Sequence, residues 1–143
     1  MPTVFRAAGT NFDVDAYLKR VSLIPQAVWR RGERSGTTMP DVMHWSGFIV
    51  TASEADFDDI DTQIIDSIAF LKRYDSELAS LAECSGLETC DLDFGIQDRD
   101  VALQVDEFPA DLLRLMGRFN IDLVVSRYPP LLSDEDPEHV NET

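Results

Sequence analysis

The sequence predicts an α+β protein, a two-layer sandwich in which helices cover one face of a largely antiparallel sheet. Stretches in which every second residue is apolar alternate with stretches whose apolar residues recur at helical spacing. Their order is strand, helix, strand, strand, helix, strand, strand, helix, strand, which contains the βαββαβ elements of ferredoxin-like folds. The 143 residues, 44% of them hydrophobic, suffice for one unit with its own core.

The first predicted elements are two strands and a helix, followed by a loop and a third strand. An apolar run over residues 4–8 predicts a strand, and Asp13 has the side chain of a helix N-cap. The helix that follows should end about two residues before Pro25, because proline disfavours helical backbone at the preceding residue. Residues 27–32 and 44–52 are predicted strands on either side of a loop rich in glycine and proline.

The longest helical signal comes next. Residues 53–56, SEAD, have the form of a capping box that opens it. Its apolar stripe consists of Ile60, Ile64, Ile68 and Leu71. Asp75 falls on this stripe directly before Ser76, a candidate cap, so we expect the helix to kink or break there. Gly86 is expected to end it.

After Gly86 the period of the apolar residues changes to two. Residues 90–96 and residues 101–105 both alternate between apolar and polar side chains. The polar residues 97–100 lie between them and suit a turn. This pattern predicts a β-hairpin with one solvated face.

One more helix and one more strand complete the predicted fold. Pro109 suits the first turn of a helix. Its inward residues are expected to be Leu112, Leu113, Met116 and Phe119. Residues 121–125 predict a closing strand. Residues 1–130 are therefore expected to form a single α+β domain, and residues 131–143 a flexible acidic tail.

The chain is strongly acidic, with 27 acidic residues, 12 basic residues and a formal net charge of −15. Only five of the acidic residues lie in the last eleven positions, so most of the acidic excess belongs to the predicted domain. Such a surface repels phosphate backbones, and no nucleic acid partner is expected. The charge suits a basic protein partner, although solvation alone also explains it.

The N-terminus lacks a basic segment followed by a long apolar one, and no later run approaches the ~20 apolar residues of a membrane span. We therefore expect a cytoplasmic protein that is not associated with a membrane. Cys84 and Cys90 could form a disulfide. Because Cys90 is in phase with the inward residues of a predicted strand, a buried, unreactive thiol is favoured.

No arrangement of catalytic residues stands out. The two histidines are His44 and His139, and a histidine beside a tryptophan at a strand start is typical of packing. Asp91 and Asp93 should share one face of the predicted hairpin, where they could bind Mg²⁺ or Ca²⁺ in a metal-dependent hydrolase. A solvated sheet face is the favoured interpretation. No glycine-rich phosphate-binding motif occurs, and we expect no enzymatic activity, metal or cofactor.

Residues 27–47 stand out because they hold both tryptophans, one histidine and three of the 12 basic residues. The tentative binding residues are Trp29, Arg30, Arg31, Arg34 and Trp45. In the favoured structural interpretation, the two indoles pack together beneath the intervening loop with an arginine over one ring. In the binding interpretation, the arginines form an exposed basic surface that holds an acidic group. Strand alternation would place the first two arginines on opposite faces.

Several short motifs of this region resemble those of a bacterial family, domain-of-unknown-function family 4279. They are the leucine-proline step Leu23-Ile24-Pro25, the motif Trp29-Arg30-Arg31-Gly32, and His44-Trp45-Ser46 at the next strand. The resemblance covers residues 4–128 and extends to a closing strand near an aromatic residue, here Tyr128. This chain departs from the pattern by one additional residue between Leu23 and Pro25. The resemblance implies a compact bacterial domain with no assigned catalytic residues.

We expect a non-enzymatic interaction domain whose acidic surface binds a protein partner. By analogy with other small acidic bacterial domains, an immunity-type partner of a basic toxin or effector is one form of this function. The alternative is a small-ligand-binding or regulatory domain with a concave site lined by Trp29, Trp45 and an arginine. Apolar residues not used by the predicted core also leave a homo-oligomer open.

Overall fold

The computed structural model describes residues 2–34 and 42–130, which form five strands and four helices. In chain order the elements are β1 Thr3–Gly9, α1 Val14–Lys19, β2 Ala27–Trp29, β3 Ser46–Ser53, α2 Ile60–Arg73, α3 Asp75–Ala82, β4 Thr89–Gln97, α4 Ala110–Arg118 and β5 Asp122–Tyr128. The predicted acidic tail, residues 131–143, and residues 35–41 of the predicted loop lie outside the described residues.

The five strands form one sheet in the order β2-β3-β1-β4-β5. Neighbouring strands are antiparallel from β2 to β4, whereas β5 runs parallel to β4. The first four strands, with α1 and α2 between them, have the connections of a ferredoxin-like βαββαβ unit. The chain then crosses over through α4 and adds β5 at the edge, as a parallel pair requires. The predicted α+β class with a largely antiparallel sheet is confirmed.

Helices cover one face of the sheet, and buried aromatic rings form the centre of the core between the layers. The ring of Phe5 in β1 lies 6.1 Å from that of Phe48 in β3 and 5.7 Å from that of Phe70 in α2. Tyr17 of α1 stacks on Phe48 at 5.7 Å. β1 and β3 therefore present alternate residues, among them Phe5, Ala7 and Phe48, to the helices. Burying a side chain of this size stabilises the fold by about 1.5–3 kcal/mol.

The predicted helix starts and ends are correct for some elements and wrong for others. Asp13 caps α1 by accepting a hydrogen bond from the amide of Ala16, but this helix ends at Lys19, earlier than predicted. The prediction of a capping box at residues 53–56 is wrong, because Ser53 belongs to β3 and pairs with β1. Asp59 is the cap of α2 instead, and its carboxylate accepts from the amide of Thr62 at 3.1 Å.

The predicted break in the long helix is confirmed. Tyr74 ends α2 and precedes α3, which begins at Asp75. The side chain of Asp75 forms an ion pair with Arg118 of α4 at 3.1 Å, so the break turns this carboxylate toward a neighbouring helix. None of the described helices has both the length and the apolar character needed to cross a membrane.

The predicted hairpin is wrong in its second half. β4 contains residues 90–96 as predicted, but residues 101–105 form no strand. Their apolar side chains are more than half exposed, with values of 53% for Val101, 77% for Leu103 and 59% for Val105. Both edges of β4 are already hydrogen-bonded, one to β1 and the other to β5. A hairpin partner therefore has no free strand edge to join.

The two cysteines are free thiols. Cys90 lies in β4, and burial raises the pKa of its thiol to about 12. Because the thiolate is the reactive form of cysteine, this environment agrees with the expected unreactive thiol.

Candidate functional site

The sheet face opposite the helices carries the candidate site. Strand pairing places Arg6 of β1 between Ile49 of β3 and Asp91 of β4 on this face. Around the end of β1, a cavity of about 480 Å³ lies between the sheet and the segment that precedes β3. We call this cavity the open-face pocket. Its polar and aromatic lining residues are Arg6, Thr10, Trp29, His44, Trp45, Glu88, Thr89 and Asp91.

Both tryptophans line the open-face pocket, but they are packed differently. Trp29 is partly buried against Gly47 of β3, where a Cβ atom would lie 2.7 Å from its ring atom Cζ2. Glycine at this position therefore lets the indole approach the strand closely. The Nε1 atom of Trp29 is buried and has no hydrogen-bond partner among the described residues. Trp45 is 47% exposed, so its ring can meet a ligand.

A polar network adjoins the pocket on the same sheet face. The guanidinium of Arg6 donates to Asp91 at 3.0 Å and to Asp93 at 3.1 Å. Ser126 of β5 donates to Asp93 at 2.8 Å, which extends the network across three strands. The hydrogen bond to Asp91 raises the pKa of Arg6, while burial opposes this shift. The positive charge of Arg6 is thus matched by two carboxylates.

We expect replacement of Arg6 with methionine to lower the free energy of unfolding by about 2 to 3 kcal/mol. Methionine keeps an apolar stem but leaves Asp91 and Asp93, which are 14% and 18% exposed, without a counter-charge. Urea denaturation followed by circular dichroism would measure the change. The same replacement at Arg118, which is 61% exposed in its ion pair, should cost at most about 1 kcal/mol. Equal losses in the two variants would contradict the prediction.

Arg30 is engaged away from the pocket. Its guanidinium makes a bidentate contact with Asp15 of α1. Nε donates to Oδ2 at 2.8 Å, and the terminal nitrogen Nη2 donates to Oδ1 at 2.8 Å. Glu33 lies 3.8 Å from the same guanidinium. The hydrogen bond from Arg30 is the main reason that the pKa of Asp15 is lowered. This arginine therefore joins α1 to the end of β2.

Arg31 makes backbone and side-chain hydrogen bonds, whereas the contact of Arg34 is a backbone bridge. The amide of Arg31 donates to the hydroxyl of Ser46 at 2.8 Å, and its guanidinium donates to Asn11 at 3.2 Å. Arg34 is exposed and forms an isolated backbone bridge with Val42. β2 ends at Trp29, so strand alternation does not extend to the arginines that follow it. Of the five tentative binding residues, the structure brings together only the two tryptophans.

The rim of the pocket holds an anionic side chain that the sequence did not single out. The hydroxyl of Thr10 donates a short hydrogen bond to Glu88. This contact is the main cause of the lowered pKa of Glu88, so its carboxylate stays ionised. His44 lies on the same rim and is exposed. Glu88 is 78 positions from Thr10, and only the pairing of β1 with β4 makes them neighbours.

The carboxylates considered as metal ligands are engaged with other side chains. Asp91 and Asp93 share one sheet face, as predicted, and bind Arg6 there. Within residues 2–34 and 42–130, no group of three or more histidine, cysteine, aspartate or glutamate side chains is arranged to hold a metal ion.

No protein-family model matches the chain, and neither curated proteins nor solved structures contain a significant match. The resemblance to domain-of-unknown-function family 4279 therefore stays a prediction.

Proposed function

We propose that this chain is a non-enzymatic binding domain that recognises its ligand at the open-face pocket. The observation that carries the proposal is the convergence of two tryptophans, one of them nearly half exposed, on a cavity of about 480 Å³. A volume of this size falls within the range typical of ligand sites. Tryptophan is also among the residues that contribute most to binding at protein interfaces.

The polar groups of the pocket support binding rather than turnover. Arg6 is held by Asp91 and Asp93, and Glu88 is held by Thr10. Groups fixed in this way can orient a ligand by charge and hydrogen bonding. A nucleophile would in addition need a neighbouring base within hydrogen-bonding distance. The hydroxyl–carboxylate pair among the described pocket residues is Thr10 with Glu88, and the lowered pKa of Glu88 makes its carboxylate a weak general base.

The acidic surplus of the chain supports a basic protein as the source of the ligand. A net charge of −15 attracts positively charged partners and accelerates their association. A complex formed in this way weakens as the salt concentration rises. An immunity-type domain that binds a basic toxin or effector is one form of this function, and a cytoplasmic location would suit it.

Nuclear magnetic resonance can test the proposal, because the chain has only two tryptophans and therefore two indole Nε1–H signals. We expect fragments from a chemically mixed library to shift both signals together at millimolar concentration. The Trp45→Phe variant would assign the two signals. The Trp45→Ala variant should remove the response of the Trp29 signal, because it removes one wall of the pocket. The proposal fails if no fragment in the library moves either indole signal.

A further inference from the structure

The charges around the open-face pocket are unevenly balanced. Among the described residues, the only arginine or lysine of the lining is Arg6, whose charge is matched by Asp91 and Asp93. Glu88 adds a carboxylate whose hydrogen-bond donor is an uncharged hydroxyl. Arg30 is held by Asp15 of α1, and it does not line the pocket. Next to the pocket, the guanidinium of Arg31 donates to the backbone carbonyl of the lining residue Thr10 at 3.5 Å. The described lining itself holds one arginine and two carboxylates and is therefore net negative, whereas the binding interpretation of the tryptophan–arginine segment predicts a basic surface.

The aromatic lining of the pocket also favours a positively charged ligand. Indole is the best of the aromatic side chains at attracting a cation to its ring face. In the described part of the chain, the arginines that lie over aromatic rings are Arg20, Arg73 and Arg118, and none of them covers an indole. The rings of Trp29 and Trp45 are thus not occupied by a cation of the described chain.

We infer that the open-face pocket binds a cationic group, an alkylammonium or a guanidinium, between the two indoles and the carboxylates of Glu88 and Asp91. The indoles attract the charge through their π-systems, and the carboxylates accept charge-assisted hydrogen bonds from its N–H groups. The cavity also leaves room for part of the chain that carries the charge. This inference rests on the proposed function and specifies the chemistry of its ligand.

The same cationic group could come from a lysine or arginine of a protein partner or from a free small molecule. Four probes separate these sources and test the charge. They are an acetylated, amidated Gly-Arg-Gly peptide, the same peptide with citrulline, the same peptide with glutamate, and methylguanidinium chloride. Citrulline has nearly the shape of arginine without its charge, so it isolates the electrostatic contribution.

We expect the arginine peptide to shift both indole signals and to bind at least about fivefold more tightly than the citrulline peptide. The glutamate peptide should not bind. Glu88→Gln should weaken binding of the arginine peptide about three- to tenfold, since it removes one exposed pocket carboxylate. Glu83→Gln removes an exposed carboxylate outside the pocket and should leave the affinity within about twofold.

The outcomes distinguish the inference from the proposed function. Equal binding of the arginine and citrulline peptides, or tighter binding of the glutamate peptide, would overturn the cationic ligand and leave the pocket as a binding site. Unchanged affinity of the arginine peptide for Trp45→Ala would place its binding elsewhere and also overturn the inference. If no probe moves an indole signal but library fragments do, the inference alone fails. Methylguanidinium binding as tight as that of the arginine peptide would support the inference and favour a free small cation over a protein side chain as the source of the group.

Discussion

Replacement of Gln63 with alanine is expected to lower the free energy of unfolding by about 3 to 5 kcal/mol. Gln63 is fully buried in α2. Its amide nitrogen donates to the carbonyls of Gly95 at 2.9 Å and Asp56 at 3.0 Å, and its oxygen accepts from the hydroxyl of Thr3 at 2.7 Å. Alanine would remove all three hydrogen bonds, leave the buried hydroxyl of Thr3 without this partner and create a cavity.

Chemical denaturation in urea would measure this loss. Lys72→Ala, at an exposed position in the same helix, serves as the control and should change stability by no more than about 0.5 kcal/mol. Thr3→Val tests the network from its other side, since it removes one hydrogen bond and keeps the side-chain volume. Its loss should be smaller than that of Gln63→Ala. A loss below about 1 kcal/mol for Gln63→Ala would show that the network does not hold α2 to the sheet.

Replacement of Gly47 with alanine is expected to destabilise the fold by about 1 to 3 kcal/mol and to disrupt the open-face pocket. The added Cβ would lie 2.5 Å from the carbonyl oxygen of Ala7 and 2.7 Å from the Cβ of Ala8, both in β1. It would also lie 2.7 Å from the ring of Trp29. Either β1 and β3 move apart, or the strand shifts locally and the indole leaves its position against the sheet.

Tryptophan fluorescence and thermal unfolding would report the two effects together. The emission of Gly47→Ala should move to longer wavelength as Trp29 becomes more exposed, and the melting temperature should fall. The control is the same replacement at Gly117 of α4, where an added Cβ meets no atom within 4 Å. There, alanine should stabilise the helix by up to about 1 kcal/mol. A Gly47→Ala variant as stable as the parent protein would contradict the close packing described for this position.

The candidate site could be predicted in part. Residues 27–47 stand out in the sequence because aromatic and basic residues are concentrated there, and both tryptophans do line the pocket. The arginines of this stretch do not share that site, because each has a partner or backbone contact set by the surrounding chain. The charged residues that do line it, Arg6, Glu88 and Asp91, come from distant positions. No local signal in the sequence connects them.

The predicted hairpin shows why a strong local pattern can still give the wrong strand pairing. Residues 101–105 alternate as a strand would, yet they are exposed and unpaired. Alternation reports which face of a strand is apolar, whereas pairing depends on a free neighbouring edge. β5 takes the edge of β4 that a hairpin would need.

The sequence by itself determined the α+β class, the β4 strand, the break between α2 and α3, and the region that contains the two tryptophans. These features depend on the spacing of apolar residues and on turn or capping residues, which act over one or two helical turns. Only the tertiary structure decided that β5 rather than residues 101–105 pairs with β4. It also decided that Arg6 and Asp91, 85 positions apart, share a sheet face beside both indoles. Long-range strand pairing brings these groups together in a pocket whose lining is net negative, whereas the binding interpretation of residues 27–47 predicts a basic surface.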